Sequence, residues 1–309
     1  MHVSRTWRPG WPCPATAILA QQRHGGRDPS YAVAADGAHW RAFRTPEGPG
    51  TLRVAPRPSA GEVDLDAWGP GAAWLLDGAP ALLGADDDPA GFEPRHAVVA
   101  DLWRRFPAWR LGRSRLVLDA LVPAVIEQKV TGQEAFAGYA SLLRRFGDPA
   151  PGPTREERPG APVLRVPPDP ERLRSVPSWE WLRMPVDLAR SSTVVRAARV
   201  ADGLERTVRE PGAAAEAALR SVRGIGVWTA AEVRRRTLGD PDAVSFGDYH
   251  VAKDVGWALT GEPVDDAGLA ELLEEYRPHR ARVTELVVLG RLGPPRRGPR
   301  MAPRRHLPR

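Results

Sequence analysis

Hydrophobic and polar positions alternate in short runs through roughly the first 95 residues and take a longer, helical period afterwards. Tyr31–Ala34, His39–Phe43 and Thr51–Val54 each read as a short strand bounded by turn residues. From His96 onward the spacing predicts helices over Ala97–Phe106, two within Leu116–Phe146 split near Thr131-Gly132, and others over Pro170–Ser175, Trp179–Leu182, Leu188–Thr207 and Ala213–Val222. Trp228–Leu238, Tyr249–Leu259 and a final pair from Ala267 to Leu289 complete the helical set, while the Pro-rich interval Asp148–Pro170 reads as a loop. The fold expected is mainly α: a small antiparallel β-containing (α+β) domain over residues 1–95, an all-α domain over 96–290, and a basic Arg/Pro-rich tail over 291–309.

Composition narrows the function classes. With 309 residues and 42% hydrophobic content, the chain supports more than one core. A single cysteine, Cys13, excludes a disulfide framework, a cysteine zinc site and a four-cysteine iron–sulfur cluster. No apolar run reaches the roughly 18–20 residues a membrane helix needs, and the proline-interrupted start makes a poor signal peptide. A cytoplasmic protein is expected. The net charge of +6 is local: residues 291–309 hold seven arginines and no acid, and without them 37 basic residues face 38 acidic ones. Such a tail adds salt-sensitive affinity for phosphates or is simply a solvated terminus. Lysine is nearly absent, only Lys129 and Lys253 occurring.

The candidate chemistry begins at Leu219–Val233, LRSVRGIGVWTAAEV. One apolar helical run stops at Gly224-Ile225-Gly226 and another starts at Val227-Trp228-Thr229. Two glycines around one apolar residue suit a hairpin with φ > 0 and close backbone approach. The next helix then presents unpaired N–H groups, a site suited to phosphate. This is a helix–hairpin–helix grip that does not read bases. After a turn-rich loop, Asp248 stands near the start of another helix, where the dipole favours a carboxylate. By itself it is an ordinary helix cap. Beside a nucleotide held by the hairpin, it is placed to stabilise positive charge on deoxyribose as a glycosidic bond breaks, or to activate water.

Other conspicuous residues carry smaller expectations. Asp86-Asp87-Asp88 reads as a solvated turn rather than a metal site, Trp179 and Trp181 as core residues, and His250 as a helix-surface residue. Arg280 is expected to support the loop that carries Asp248.

The hairpin, the Gly/Pro-containing loop and Asp248-Tyr249 at this separation resemble the helix–hairpin–helix DNA glycosylase superfamily, and most its bacterial alkylbase (3-methyladenine type II) branch. GIGVWTA is similar to that branch's hairpin, Ala124–Thr131 to its helix and DNA-wedging loop, and Tyr276-Arg277-Pro278-His279-Arg280 to the start of its last helix. The likeness covers about residues 110–290. It implies Asp248 as the catalytic carboxylate, Trp228 and Tyr249 as base-pocket residues, and DNA contacts at Gln128, Lys129, Val130, Gly224, Ile225, Gly226, Val227 and Thr229. It also implies a monovalent cation on the carbonyls of Val222, Gly224 and Val227, with no other cofactor.

The departures sharpen the expectation. Lys129 follows Gln128 where the branch has an apolar wedge, which shifts the wedge to Val130 or another loop residue. Glu232 and Val287-Val288-Leu289 occupy positions where the branch has aromatics, and an electron-poor alkylated purine is held largely by such rings. Bifunctional members place a nucleophilic lysine where this chain has Trp228. The function expected is monofunctional excision of a flipped damaged, alkylated purine from double-stranded DNA by a monomeric bacterial, nucleoid-associated repair enzyme. The alternatives are a non-catalytic damage binder with a degenerate pocket, or a glycosylase for a deaminated or oxidised base.

Overall fold

A computed structural model describes residues 1–154 and 156–295. Six of the seven tail arginines therefore lie outside the described residues, and only Arg291, at the end of the last helix, lies within them.

The N-terminal part is a five-stranded antiparallel sheet in the order β1-β5-β4-β3-β2, formed by β1 (His2–Trp7), β2 (Tyr31–Val33), β3 (His39–Thr45), β4 (Gly48–Arg57) and β5 (Glu62–Trp68). Alternation along β5 turns Val63, Leu65 and Ala67 inward, and Asp64 and Asp66 to the other side. Two helices, α1 (Ala15–Ala20) and α2 (Ala72–Leu82), cover the face that carries Leu52, Val54, Val63 and Leu65. Trp40 and Trp68 stack on the opposite face, with ring centroids 5.1 Å apart, against Leu164 and Val166. The Pro-rich interval is thus more than a loop. It forms a two-residue ladder, β6 (Asp148–Pro149) with β7 (Arg165–Val166), and folds back over the sheet.

The helical part contains α3 (Ala97–Arg105), α4 (Val117–Ile126), α5 (Gly132–Phe146), α6 (Pro170–Ser175), α7 (Ser178–Arg183), α8 (Leu188–Arg199), α9 (Ala201–Glu205), α10 (Gly212–Arg220), α11 (Val227–Leu238), α12 (Val251–Thr260), α13 (Asp266–Glu274) and α14 (Arg280–Gly290). Local signals set several ends. Thr131 and Glu134 form a reciprocal capping box at α5. Asp169, Asp187 and Asp265 cap α6, α8 and α13, and Gly239 closes α11 in the left-handed conformation. The single helix expected over Leu188–Thr207 is broken at Val200, whose φ of −116° and ψ of 21° separate α8 from α9.

Two cores divide these helices. One is built mainly on α4, α5, α8, α10 and α11, with α4 packed against both α8 and α11. The other gathers α3, α12, α13 and α14. Residues 239–250 join α11 of the first core to α12 of the second, and Asp248 lies in that bridge. Buried ion pairs tie the distant parts together. Arg41 of the sheet meets Asp119 of α4, and Arg282 forms two hydrogen bonds to Asp87 at 2.7 and 2.9 Å. The acidic run is therefore only partly a solvated turn: Asp87 is buried as the partner of a fully buried arginine. Among the described residues no helix is long and apolar enough to cross a membrane, and no cluster of His, Cys, Asp and Glu is arranged to hold a metal ion.

Candidate nucleic-acid interface and active site

The hairpin between α10 and α11 uses its two glycines differently. Gly224 has φ +101°, and a Cβ there would lie 2.2 Å from Thr193 Oγ1, so both conformation and packing demand glycine. Gly226 departs from the expected positive φ: it is extended at −97°, and nothing lies within 4 Å of where its Cβ would be. It offers bare backbone at the start of α11, whose first turn has no side-chain cap. Ile225 between them is buried in the helical core, and its N–H donates to the Val222 carbonyl at 3.0 Å. Arg196 braces the turn from α8 through the Arg223 carbonyl at 2.8 Å.

The expected wedge loop is tied directly to this hairpin. The Gln128 side-chain amide donates to the Gly224 carbonyl at 3.0 Å and to Thr229 Oγ1 at 2.8 Å. Lys129 follows, exposed and in the left-handed region at φ +55°, an unusual conformation for a lysine. Val130 is half-buried. Of the two, Lys129 faces outward, while Val130, the residue expected with other loop positions as the wedge, is partly covered.

Asp248 sits at the end of a loop with several anchors. Arg280 grips Asp242 through two nitrogens, at 2.8 and 2.7 Å, which is the support expected of it. Arg234 holds Asp240 at 2.5 Å, and Ser245 Oγ donates to Glu232 Oε1 at 2.6 Å. Asp248 Oδ1 then accepts the backbone N–H groups of His250 and Val251, at 2.8 and 3.1 Å. Its Oδ2 accepts the Trp228 indole N–H at 2.9 Å. The candidate catalytic group thus also braces a helix start from two residues ahead of its N-cap, His250: one oxygen accepts from the backbone that opens α12, and the other accepts from α11. Tyr249 is 74% exposed with the Lys253 ammonium 3.6 Å from its ring centre, so it flanks Asp248 without being enclosed. His250 is exposed, as expected. Of the two tryptophans read as core, Trp181 is buried and Trp179 is exposed.

One turn along α11 from Trp228 lies a group whose setting the sequence did not reveal. Glu232 is buried, accepting from Arg235 at 2.9 Å, Arg236 at 3.0 Å and Ser245. Burial alone would raise its carboxyl, but the guanidinium groups of Arg235 and Arg236 and the Ser245 hydroxyl hold it down at about 2. Arg235 also pairs with Glu285 of α14 at 2.8 Å, while Gln21 donates to Glu285 at 2.7 Å. Burial pushes the Glu285 carboxyl up, the neighbouring Arg235 opposing it. This network connects α11, the loop before Asp248, α14 and the residues just after α1.

Comparison with known proteins fits this architecture. The sequence is 28% identical over 272 residues to the "Probable bifunctional transcriptional activator/DNA repair enzyme AlkA" of two Mycobacterium tuberculosis strains. That match takes in 81% of this chain, which spans about half (49%) of the length of those relatives. The 3-methyladenine DNA-glycosylase of Archaeoglobus fulgidus superposes with a TM-score of 0.75 at 18% identity, covering 93% of this chain and 98% of that one. Its fold is that of the helix–hairpin–helix DNA glycosylases. The 8-oxoguanine glycosylase/lyase of Clostridium acetobutylicum, solved with double-stranded DNA, shares this glycosylase fold at a TM-score of 0.70 and 12% identity, over 94% of this chain and 97% of that one. No protein-family model matches the chain.

Within this glycosylase fold, a cavity of about 200 Å³ opens between the residues after α1, the wedge loop, α5 and α11, lined by Arg23, His24, Glu127, Val130, Phe136 and Arg236 among others. A larger, open depression of about 650 Å³ is lined by His96, Thr260, Val264 and Glu271 among others, at the opposite end of α12 from Asp248. The expected loss of aromatics on the last helix is visible in the packing. Val287 is buried in the second core and Val288 is exposed, so neither supplies a stacking ring.

Proposed function

We propose that this chain is a DNA glycosylase that hydrolyses the N-glycosidic bond of a damaged base flipped out of double-stranded DNA, leaving an abasic site. The observation that carries this reading is the Trp228–Asp248 contact, which locks a carboxylate to the helix that opens at the hairpin. The hairpin's bare backbone at Gly226 and the uncapped N–H groups of α11 grip phosphate oxygens. Ile225, Val227 and Thr229 shape that turn, and Gln128 and Lys129 follow the strand from the wedge loop. Flipping costs roughly a few kcal/mol, less at a damaged pair.

The chemistry follows from the carboxylate. As the bond between sugar C1′ and the base nitrogen lengthens, its electron pair leaves with the base and positive charge builds on the sugar. Asp248 stabilises that charge. A water oxygen then bonds to C1′ and passes its proton to Asp248 or to the departing base. Trp228 orients Asp248, and with Tyr249 borders the base.

Hydrolysis without strand cleavage is the finer reading. Cleavage by β-elimination needs an amine to attack C1′, and the chain has two lysines. Lys253 has its ammonium over the Tyr249 ring, and Lys129 stands exposed in the wedge loop. A monovalent cation would sit on the carbonyls of Val222, Gly224 and Val227. The first two already accept one hydrogen bond each, from Ile225 and Gln128, and would offer their second lone pairs. A monomer acting on chromosomal DNA in the cytoplasm completes the reading.

A duplex carrying single defined lesions tests it. The expected result is base release that yields a strand break only after alkali, with no borohydride-trapped protein–DNA adduct. A break without alkali contradicts the hydrolytic assignment, and tight binding with no release from any lesion favours a damage binder.

A further inference from the structure

Helix α11 holds the loop that carries Asp248 at two points. The Trp228 indole donates to Asp248 Oδ2 at 2.9 Å, and one turn further along the same face Glu232 Oε1 accepts the Ser245 hydroxyl at 2.6 Å. The pairing runs antiparallel, Trp228 with Asp248 and Glu232 with Ser245. Four residues of helix rise about 6 Å, so the two contacts bracket the segment between Ser245 and Asp248.

Within that bracket the chain makes a single closed turn. The Asp248 N–H donates to the Ser245 carbonyl at 3.2 Å, and Gly247, the third of the four residues, has φ +86°. A positive φ at this position fits a type II turn. Phe246, the second residue, packs against the second helical core. A shift of Ser245 is therefore passed through the turn to Asp248, with little slack to absorb it.

The acceptor on α11 is itself held in one orientation. Glu232 Oε2 takes N–H groups of Arg235 and Arg236, at 2.9 and 3.0 Å, which leaves Oε1 to Ser245. Arg235 pairs in turn with Glu285 at 2.8 Å. Gln21 closes the group from the N-terminal part, its amide donating to Glu285 at 2.7 Å and its carbonyl accepting from Arg236 at 2.8 Å. Glu232, Arg235, Ser245 and Glu285 are all buried. With its carboxyl held at about 2 by the two guanidinium groups, Glu232 is a charged acceptor at neutral pH. Buried ion networks often add little net stability over well-packed apolar side chains. What this one supplies is a fixed acceptor at a fixed place. Both oxygens of Glu232 are spent within the protein, so it acts on the loop and not on DNA.

We propose that Glu232 and Ser245 are positioning residues, whose contact sets the turn so that Asp248 meets both Trp228 and the sugar of a flipped nucleotide. The inference rests on the glycosylase reading and deepens it. Misplacing a reacting group by about 1 Å costs roughly 100-fold in rate, and the Ser245 hydroxyl is the one side-chain bond that fastens the near end of the turn to α11.

The test is Ser245→Ala, which removes the hydroxyl and leaves the arginine pairs of Glu232 in place. Single-turnover base release is read on a duplex whose lesion the wild type excises, chosen from 8-oxoguanine, hypoxanthine, 7-methylguanine and 3-methyladenine. Affinity for the same duplex is read by fluorescence anisotropy. The Trp228 indole N–H resonance, identified by its loss in Trp228→Phe, is read in a proton–nitrogen correlation spectrum. Release is expected to fall about 10- to 100-fold, with affinity near wild type, the Trp228 resonance displaced, and release partly restored in Ser245→Thr. A contact that only stabilised the fold would change thermal unfolding and leave the release rate and the resonance of the folded protein where they were. Wild-type release in Ser245→Ala, an unmoved Trp228 resonance, or a loss of affinity that matches the loss of release overturns the positioning role and leaves the glycosylase reading standing. No release by the wild type from any of the four lesions overturns both.

Discussion

Three hydrogen bonds converge on Asp248, two from the backbone at the start of α12 and one from the Trp228 indole. The backbone pair belongs to any capping aspartate, whereas the indole contact belongs to this site. Trp228→Phe keeps an aromatic ring on α11 but removes the pyrrole half of the indole together with its N–H. Base release should fall about tenfold, since a hydrogen bond to a charged group is worth roughly 1.5–3 kcal/mol, while DNA affinity measured by fluorescence anisotropy stays near wild type. Glu232 makes a second residue-scale prediction. Its carboxyl is held at about 2, against an ordinary value of 4.5. The stability it contributes is therefore present above pH ~4.5 and lost as pH falls towards ~2. Urea unfolding across that window should show a shallower acid loss in Glu232→Gln, which is also less stable than wild type at pH 7. An unchanged acid slope would remove the carboxylate's assigned role.

At the scale of elements, the hairpin separates conformation from contact. Gly224→Ala places a Cβ against Thr193 at positive φ and should destabilise the fold by about 1–3 kcal/mol. Gly226→Ala meets open space, so its thermal unfolding should match wild type while its DNA affinity falls. Equal loss of stability in both variants would contradict the assignment of Gly226 to ligand approach. The elements also show what the chain made legible. Helices with a clear apolar stripe or a cap, such as α5 behind Thr131 and α6 behind Asp169, could be placed from spacing alone. The long run after Leu188 hid the break at Val200, because no Gly or Pro marks it. α2 was concealed by Gly78 and Pro80 within it, and β1 by an edge position that leaves most of its side chains exposed. β5 alternates as clearly as any strand in the chain.

At the scale of the whole molecule, local patterns give way to partners far apart in sequence. Asp248 stands out as a candidate in the sequence because the hairpin comes just before it, and the fold brings it to Trp228. Asp87 read as a turn because its partner, Arg282, lies 195 residues away. Glu232 marked a departure from the resemblance, but Ser245, Glu285 and Gln21, which complete its network, come together only in the folded chain. The cavity likewise joins residues just after α1 to the wedge loop and α11, and no single segment announces it. Two helical cores meet at the loop that carries Asp248, and the N-terminal part is tied to one through Arg41 of the sheet and to the other through Asp87 of the loop after α2, so the proposed site is assembled by the entire architecture.

The most direct test is Asp248→Asn assayed against wild type on one duplex whose lesion the wild type excises, with base release and binding read from the same samples. The account predicts that the variant binds this duplex with near-wild-type affinity and releases no detectable base. Excision retained at the wild-type rate would contradict the assignment of Asp248 as the catalytic carboxylate.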